Sequence, residues 1–330
     1  MLLVLESKMK KALIVGTNRY SQCPLQGCCN DADGVAKVLE TNGDGSPNFS
    51  IKLKKDIDKK GDLRKLIEEC FSNDEDIALF YYSGHGYIDN IGGYLVTPDY
   101  TDGDYGVSLQ DILTIVNNSR CKNKIVILDS CFSGFMGSKK ISGQTTANIG
   151  EGVTILTASR ATEQSIEREG HGLFTSLLIE ALLGGAADVT GHITPGGVYA
   201  YIDKALGPWT QRPVFKTNVN RFTSLRTVTP QVDISTIRKI VEYFSDEAAH
   251  FPLNPSFEPS NSENVRHEVV KPYADCRNTK IFFDLQQLEG VGLVVPVGEK
   301  HMYYAAMKSK ACKLTLLGQQ YWRLVKEHLI

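Results

Sequence analysis

The sequence predicts an α/β protein: an open, mostly parallel sheet covered by helices on both faces, followed by a small winged-helix-like α+β module. Three observations carry this expectation. Short runs of β-branched and aromatic residues recur with few polar breaks, as strands buried on both faces require. Amphipathic helical segments fall between these runs, and strands alternating with helices imply right-handed βαβ units. From about residue 229 the pattern changes to a helix, paired strands and a final helix.

The expected buried strands are residues 12–15, 51–53, 77–82, 125–128 and 153–157. A first helix is expected over 33–39, capped by Asn30 or Asp31. Leu63, Leu66, Ile67 and Cys70 follow the i, i+3, i+4, i+7 spacing of a second, with Asp62 in its first turn. Residues 107–116 form a third, and 173–182 a fourth that stops at Gly184 and Gly185. The stretch 137–150 is small and polar and reads as a mobile surface loop. Residues 251–271 hold Pro252, Pro255 and Pro259 with few apolar side chains, and read as a polar linker. In the C-terminal part, 281–288 is expected as a helix and 315–329 as the last one. Residues 291–297 and 302–307 are expected as two strands joined by 298–300. The domains are thus drawn at 1–228 and 229–330.

The composition suits a folded chain of 330 residues, 42% hydrophobic and 22% charged. A formal net charge of -2 argues against a general attraction to nucleic acid or anionic membranes. No apolar run approaches the roughly 18–20 residues of a membrane span, and the start is too short in apolar residues for a secretory signal. The eight cysteines are not spaced as a stapled scaffold, so reduced thiols and a cytoplasmic location are expected. No Cys-x-x-Cys pair exists, and neither Asp74-Glu75-Asp76 nor Asp102-Gly103-Asp104 matches a calcium loop. No cofactor or metal is expected.

Two segments carry chemistry. Ser83-Gly84-His85-Gly86 follows the strand 77–82, and Asp129-Ser130-Cys131-Phe132-Ser133-Gly134 follows the strand 125–128. Functional groups of an open parallel sheet collect at the carboxyl ends of its strands. If the two strands are neighbours, an imidazole faces a thiol there. A nearby imidazole takes the thiol's proton and makes the nucleophile. The N–H groups of Gly86 and Cys131 could form an oxyanion hole. His171, between Gly170 and Gly172, follows the cysteine and is set aside as the catalytic imidazole.

With these motifs the sequence resembles the caspase/metacaspase superfamily of cysteine peptidases, closer to its metacaspase and bacterial branch. The resemblance spans about residues 10–225 and includes Leu25-Gln26-Gly27-Cys28-Cys29-Asn30-Asp31-Ala32, Leu156-Thr157-Ala158-Ser159 and Gly172-Leu173-Phe174-Thr175. The Gln-Ala-Cys-x-Gly form of animal caspases is absent. The resemblance implies His85 and Cys131 as catalytic pair, and Asp31, Asp129 and Ser159 as the lining of the pocket for the residue before the scissile bond. Two carboxylates would attract Arg or Lys, and a bidentate Arg best. It also implies self-cleavage in the loop at Lys139 or Lys140, and a bacterial defence or cell-death role. The C-terminal module, whose Lys300, Lys308, Lys310 and Lys313 are balanced by Glu299, is expected to dock a protein partner rather than DNA. The competing expectations are a catalytically silent adaptor acting through this module, and a different thiol enzyme on the same sheet.

Overall fold

The computed structural model describes residues 10–89, 91–130, 138–141, 144–147, 149–158, 167–168, 171–206, 213–262 and 270–330. They fall into two compact units, Met1–Thr229 and Pro230–Ile330. The first opens with β1 (Lys10–Gly16), α1 (Cys28–Glu40), β2 (Ser50–Lys55), α2 (Lys60–Cys70) and β3 (Ile77–Ser83). A small antiparallel sheet follows, β4 (Gly86–Ile88), β5 (Gly93–Thr101) and β6 (Asp104–Ser108), then α3 (Leu109–Asn118) and β7 (Asn123–Asp129). Next come β8 (Ser138–Ile141), β9 (Gln144–Ala147), β10 (Val153–Thr157), β11 (Glu167–Arg168), β12 (His171–Gly172), α4 (Leu173–Glu180), β13 (His192–Ile193), α5 (Pro195–Leu206), β14 (Val214–Asn218) and β15 (Arg226–Thr227).

The main sheet has the order β14-β10-β7-β3-β1-β2. Its strands are parallel except β14, which runs antiparallel to β10. Alternation with period two sends successive side chains to opposite faces. Ile14, Leu79, Tyr81 and Ile127 pack beneath α1, α4 and α5 with Val35, Leu39, Leu178 and Val198. Leu13, Phe80, Tyr82 and Leu128 pack on the other face with Leu63 and Ile67 of α2 and Ile112 and Val116 of α3. Each large side chain fully removed from water contributes about 1.5–3 kcal/mol relative to exposure, so two dry faces lock the order of the central strands.

Several expectations fail in instructive ways. β2 is not buried: it is the outermost strand, most of its residues are exposed, and Lys52, Lys54 and Lys55 line it. Charged side chains are how an unpaired edge stays soluble. The third helix starts later than expected, because 104–108 pairs with β5 as β6 and Ser108 caps α3 through the Asp111 N–H at 3.0 Å. The expected loop 137–150 contains a hairpin, with Ser138–Ile141 paired to Gln144–Ala147.

The second unit comprises α6 (Ile234–Arg238), α7 (Ile240–Tyr243), β16 (His250–Pro252), α8 (Cys276–Gly290), β17 (Val294–Val297), α9 (Met302–Met307), β18 (Ala311–Leu314) and α10 (Leu316–Lys326). Residues 302–307 are therefore a helix, not the second strand of a hairpin. Met302, Ala305 and Ala306 are buried at the i, i+3, i+4 spacing that a helix places on one face. The strand that pairs with β17 is β18, and β16 joins on its other side, giving the order β16-β18-β17.

Nor does the described part of 251–271 behave as a linker. Asn261 is fully buried, and its Nδ2 donates to the carbonyls of Pro255, Val270 and Pro272 at 3.1, 2.7 and 3.0 Å. This amide works together with buried Leu253 and Phe257, the latter edge-on to Phe251, to order the stretch.

Candidate active site

The site forms where β3 and β7 end side by side. They are paired in register, Ser83 opposite Asp129, and Gly84 N–H donates to the Asp129 carbonyl at 3.3 Å. His85 stands two residues beyond this pair on one chain. Cys131 stands at the same remove on the other, and lies outside the described residues, as does Ser159.

The position of His85 follows from its neighbours. Gly84 has two tyrosine hydroxyls against it: a Cβ there would sit 2.6 Å from Tyr82 OH and 2.7 Å from Tyr20 OH. Only hydrogen fits, which explains a glycine before the histidine. Tyr82 OH donates to the Val96 carbonyl at 2.9 Å and lies 3.0 Å from Tyr20 OH, which in turn accepts the His85 backbone N–H at 3.1 Å. Burial pushes the Tyr20 phenol up to about 12, so it stays a neutral donor. The Tyr20 ring lies 4.5 Å from the imidazole, centroid to centroid.

His85 Nε2 lies 2.7 Å from the Cys23 carbonyl oxygen. A carbonyl only accepts, so Nε2 carries the hydrogen and the lone pair of the neutral ring is on Nδ1. The same oxygen stabilises the ring once Nδ1 is protonated. A main-chain carbonyl thus fixes the orientation and tautomer of this imidazole.

The carboxylates occupy the other side. Asp31 is 2% exposed and does not cap α1; the N-cap is Gly27, and no side chain caps it. Instead its Oδ2 accepts from Ser83 Oγ at 2.9 Å, and its Oδ1 accepts from His171 Nδ1 at 3.0 Å and Gly172 N–H at 3.1 Å. Asp129, at the tip of β7, accepts from Thr175 Oγ1 at 2.6 Å. That hydroxyl has spent its proton, so Tyr81 OH, 2.6 Å away, donates to it. Burial, with Asp31's charge added, pushes Asp129 up to about 7; burial also raises Asp31.

Gly172 lies between the two. A Cβ on it would stand 2.8 Å from Asp129 Oδ2 and 3.4 Å from Asp31 Oδ2, so both carboxylates pack closely against this glycine. Cys28 belongs to the same neighbourhood. Burial first, then the charges of Asp31 and Asp129, push its thiol up to about 12 against a bond to Ser83, so it stays neutral at physiological pH.

Of the expected site residues, His85 and Gly86 lie together at the exit of β3, and Asp31 and Asp129 converge around Gly172. Lys139 and Lys140 are on β8, opposite Thr146 and Thr145. Sequence reasoning missed the Cys23 carbonyl, Tyr20, Tyr81, Cys28, and His171 as the partner of Asp31. Among the described residues no three His, Cys, Asp or Glu side chains gather as a metal ion would need, and no helix is long and apolar enough to cross a membrane.

A family model described as the caspase domain, Peptidase_C14, matches residues 9–194, more than half of the chain. The chain belongs to the caspase-domain family. Among solved structures, caspase-1 from Spodoptera frugiperda is similar to this caspase-domain chain at a TM-score of 0.50 and 16% identity, covering 67% of this chain and 91% of that one. A protein from Geobacter sulfurreducens is similar at a TM-score of 0.46 and 15% identity, with 67% and 98% covered. No curated protein matches the chain.

Proposed function

We propose that this chain is a cysteine endopeptidase that cleaves after Arg or Lys. The observation that carries the reading is the pair of buried carboxylates, Asp31 and Asp129, converging on Gly172, with Asp129 paired in register to Ser83 two residues before His85. A guanidinium that reaches the two carboxylates would meet negative charge from both, in a dry setting where such pairs are strong. Ser159 is proposed to complete the lining.

In the reaction, His85 Nδ1 takes the proton of the Cys131 thiol, and the thiolate adds to the scissile carbonyl carbon. Negative charge moves to the carbonyl oxygen, where the N–H groups of Gly86 and Cys131 are proposed to receive it. The tetrahedral adduct collapses, the C–N bond breaks, and His85 gives its proton to the leaving amine. Water, deprotonated by His85, then attacks the thioester; the peptide acid leaves and the thiol is restored. Self-cleavage after Lys139 or Lys140 is the same reaction on the chain's own hairpin. Replacing both by alanine removes the fragment pair from a gel.

The test of the whole reading is covalent capture. A peptidyl-arginine chloromethylketone adds its mass to Cys131, a peptidyl-aspartate analogue does not, and Cys131→Ala takes up neither. Mass on Cys28, or on no residue, would overturn the proposal.

The C-terminal unit supports a second, docking role. The sheet β16-β18-β17, with β17 and β18 between α8 and α10 in the chain, suits a winged-helix-like module. DNA is not favoured, because Glu299 holds Lys308 at 3.2 Å and Lys310 at 2.7 Å. Exposed Phe283 and Leu316 suit a protein partner.

A further inference from the structure

The segment between β1 and α1 touches His85 in three ways: the Cys23 carbonyl on Nε2, Tyr20 OH on the backbone N–H, and the Tyr20 ring against the imidazole. It has no regular structure of its own, so its shape depends on what ties it down. Asn18 closes it. The Asn18 carbonyl accepts from Tyr20 N–H at 3.1 Å and Leu25 N–H at 2.9 Å. Its Nδ2 donates to the Gln26 carbonyl at 3.0 Å, and its Oδ1 accepts from Cys29 N–H at 3.2 Å.

Asn18 is in turn gripped from outside the segment. Asp56, just past β2, accepts the backbone N–H groups of Asn18 and Arg19 on one oxygen, Oδ1, at 2.8 and 3.0 Å. Cys29 Sγ lies 3.7 Å from the same oxygen. Arg19 Nε approaches Oδ2 at 3.3 Å, but the Arg19 side chain is 81% exposed, so this contact adds little. The grip is the carboxylate on two main-chain donors, the charge-assisted kind of hydrogen bond. Asp56 also has φ of +50°, a left-handed conformation that Asp tolerates better than most residues, and its own N–H donates to the Gly16 carbonyl at 2.9 Å. Backbone and side chain thus tie the end of β2 to both the end of β1 and the start of the segment.

We propose that Asp56 is a positioning residue for His85, acting through this segment to aim the Cys23 carbonyl at Nε2. The inference rests on His85 being the general acid–base. Asp56 touches neither the imidazole nor the carboxylates Asp31 and Asp129, so its loss should alter the chemical step and leave recognition of the cationic side chain intact.

The test compares Asp56→Ala and Asp56→Asn in the full chain. On an arginyl peptide, Asp56→Ala lowers kcat on the order of 10–100-fold, the scale of a misaimed catalytic group, while KM changes less than about twofold. Asp56→Asn keeps an oxygen at Oδ1 and restores most of the lost rate. Independently of turnover, the ¹⁵N–¹H signal of His85 Nε2 in ¹⁵N-histidine-labelled protein loses its hydrogen-bonded shift in the alanine variant and keeps it in the asparagine variant. Unchanged kcat with an unchanged imidazole signal in Asp56→Ala would overturn the proposal. So would equal losses in both variants with an equal fall in Tm, the mark of a role in folding alone. If the wild-type chain cleaves no arginyl peptide, the endopeptidase reading fails, and the imidazole signal alone decides whether Asp56 aims the carbonyl.

Discussion

At the tip of β3 the functional group is held by neutral partners: a peptide carbonyl on His85 Nε2 and, on its backbone N–H, the Tyr20 hydroxyl, itself bonded to that of Tyr82. At the tip of β7 and the start of α1 the groups are charged, and hydroxyls, an imidazole and a backbone N–H surround Asp31 and Asp129. A proton-transfer group must present one tautomer and change charge readily, and neutral acceptors allow both. Burial raises both carboxyls, and the charge of Asp31 raises Asp129 further, so a nearby cation would favour ionisation of the pair.

The contrast can be broken from either side. His85→Ala should have the largest effect, a loss of 10²–10⁴-fold in kcat with KM little changed, seen in steady-state kinetics on an arginyl peptide. Gly172→Ala should come next. Its methyl, 2.8 Å from Asp129 Oδ2, displaces that carboxylate and raises KM for arginyl peptides by about tenfold or more, while Cys131 still reacts with iodoacetamide. A rise in kcat/KM for arginyl peptides in that variant would refute the pocket.

The third expectation concerns pH. Asp129 titrates near 7 in the folded chain and near 3.8 when unfolded. Between these values the folded form keeps a proton that the unfolded form has lost, so stability falls as pH rises from about 4 to 7. Asp129→Asn should therefore raise Tm at pH 8 more than at pH 4, by differential scanning calorimetry. Ionisation across the same range favours a cation, so benzamidine should bind up to about tenfold more tightly at pH 8 than at pH 6, and Asp129→Asn should flatten this dependence. The smallest effect belongs to Cys28→Ala. A thiol pushed up to about 12 supplies no nucleophile, and kcat should stay within about twofold of wild type.

The parts of the site visible in the sequence are those tied to the ends of strands. Runs such as 77–82 and 125–128 mark β3 and β7, and with them the places of His85 and Asp129. Asp31 was expected at the site only through the family motif; by local rules alone it reads as a helix cap. The Cys23 carbonyl has no side-chain signature. Tyr20 reaches Tyr82 across 62 positions, and Asp31 reaches His171 across 140, distances no periodicity records. In the C-terminal unit, β17 and α10 were legible from pattern. Residues 302–307 were misread because Met, Tyr and Ala suit strand and helix alike, until burial of one helical face decides. The packed segment around Asn261 was hidden because its few apolar residues, Leu253 and Phe257 among them, follow no period, and because a buried amide has no pattern in the sequence.

The oxygen on His85 Nε2 belongs to the peptide bond that joins Cys23 to Pro24. The pyrrolidine ring confines the residue before it to extended conformations. Steric exclusion by that ring, rather than anything about the thiol, therefore limits where the oxygen can point. Alanine scanning along 17–27 would pass over position 23 without a signal, since every substitution there leaves the acceptor in place. The informative change lies one residue on: Pro24→Gly frees the rotation and exposes a contribution that belongs to no side chain.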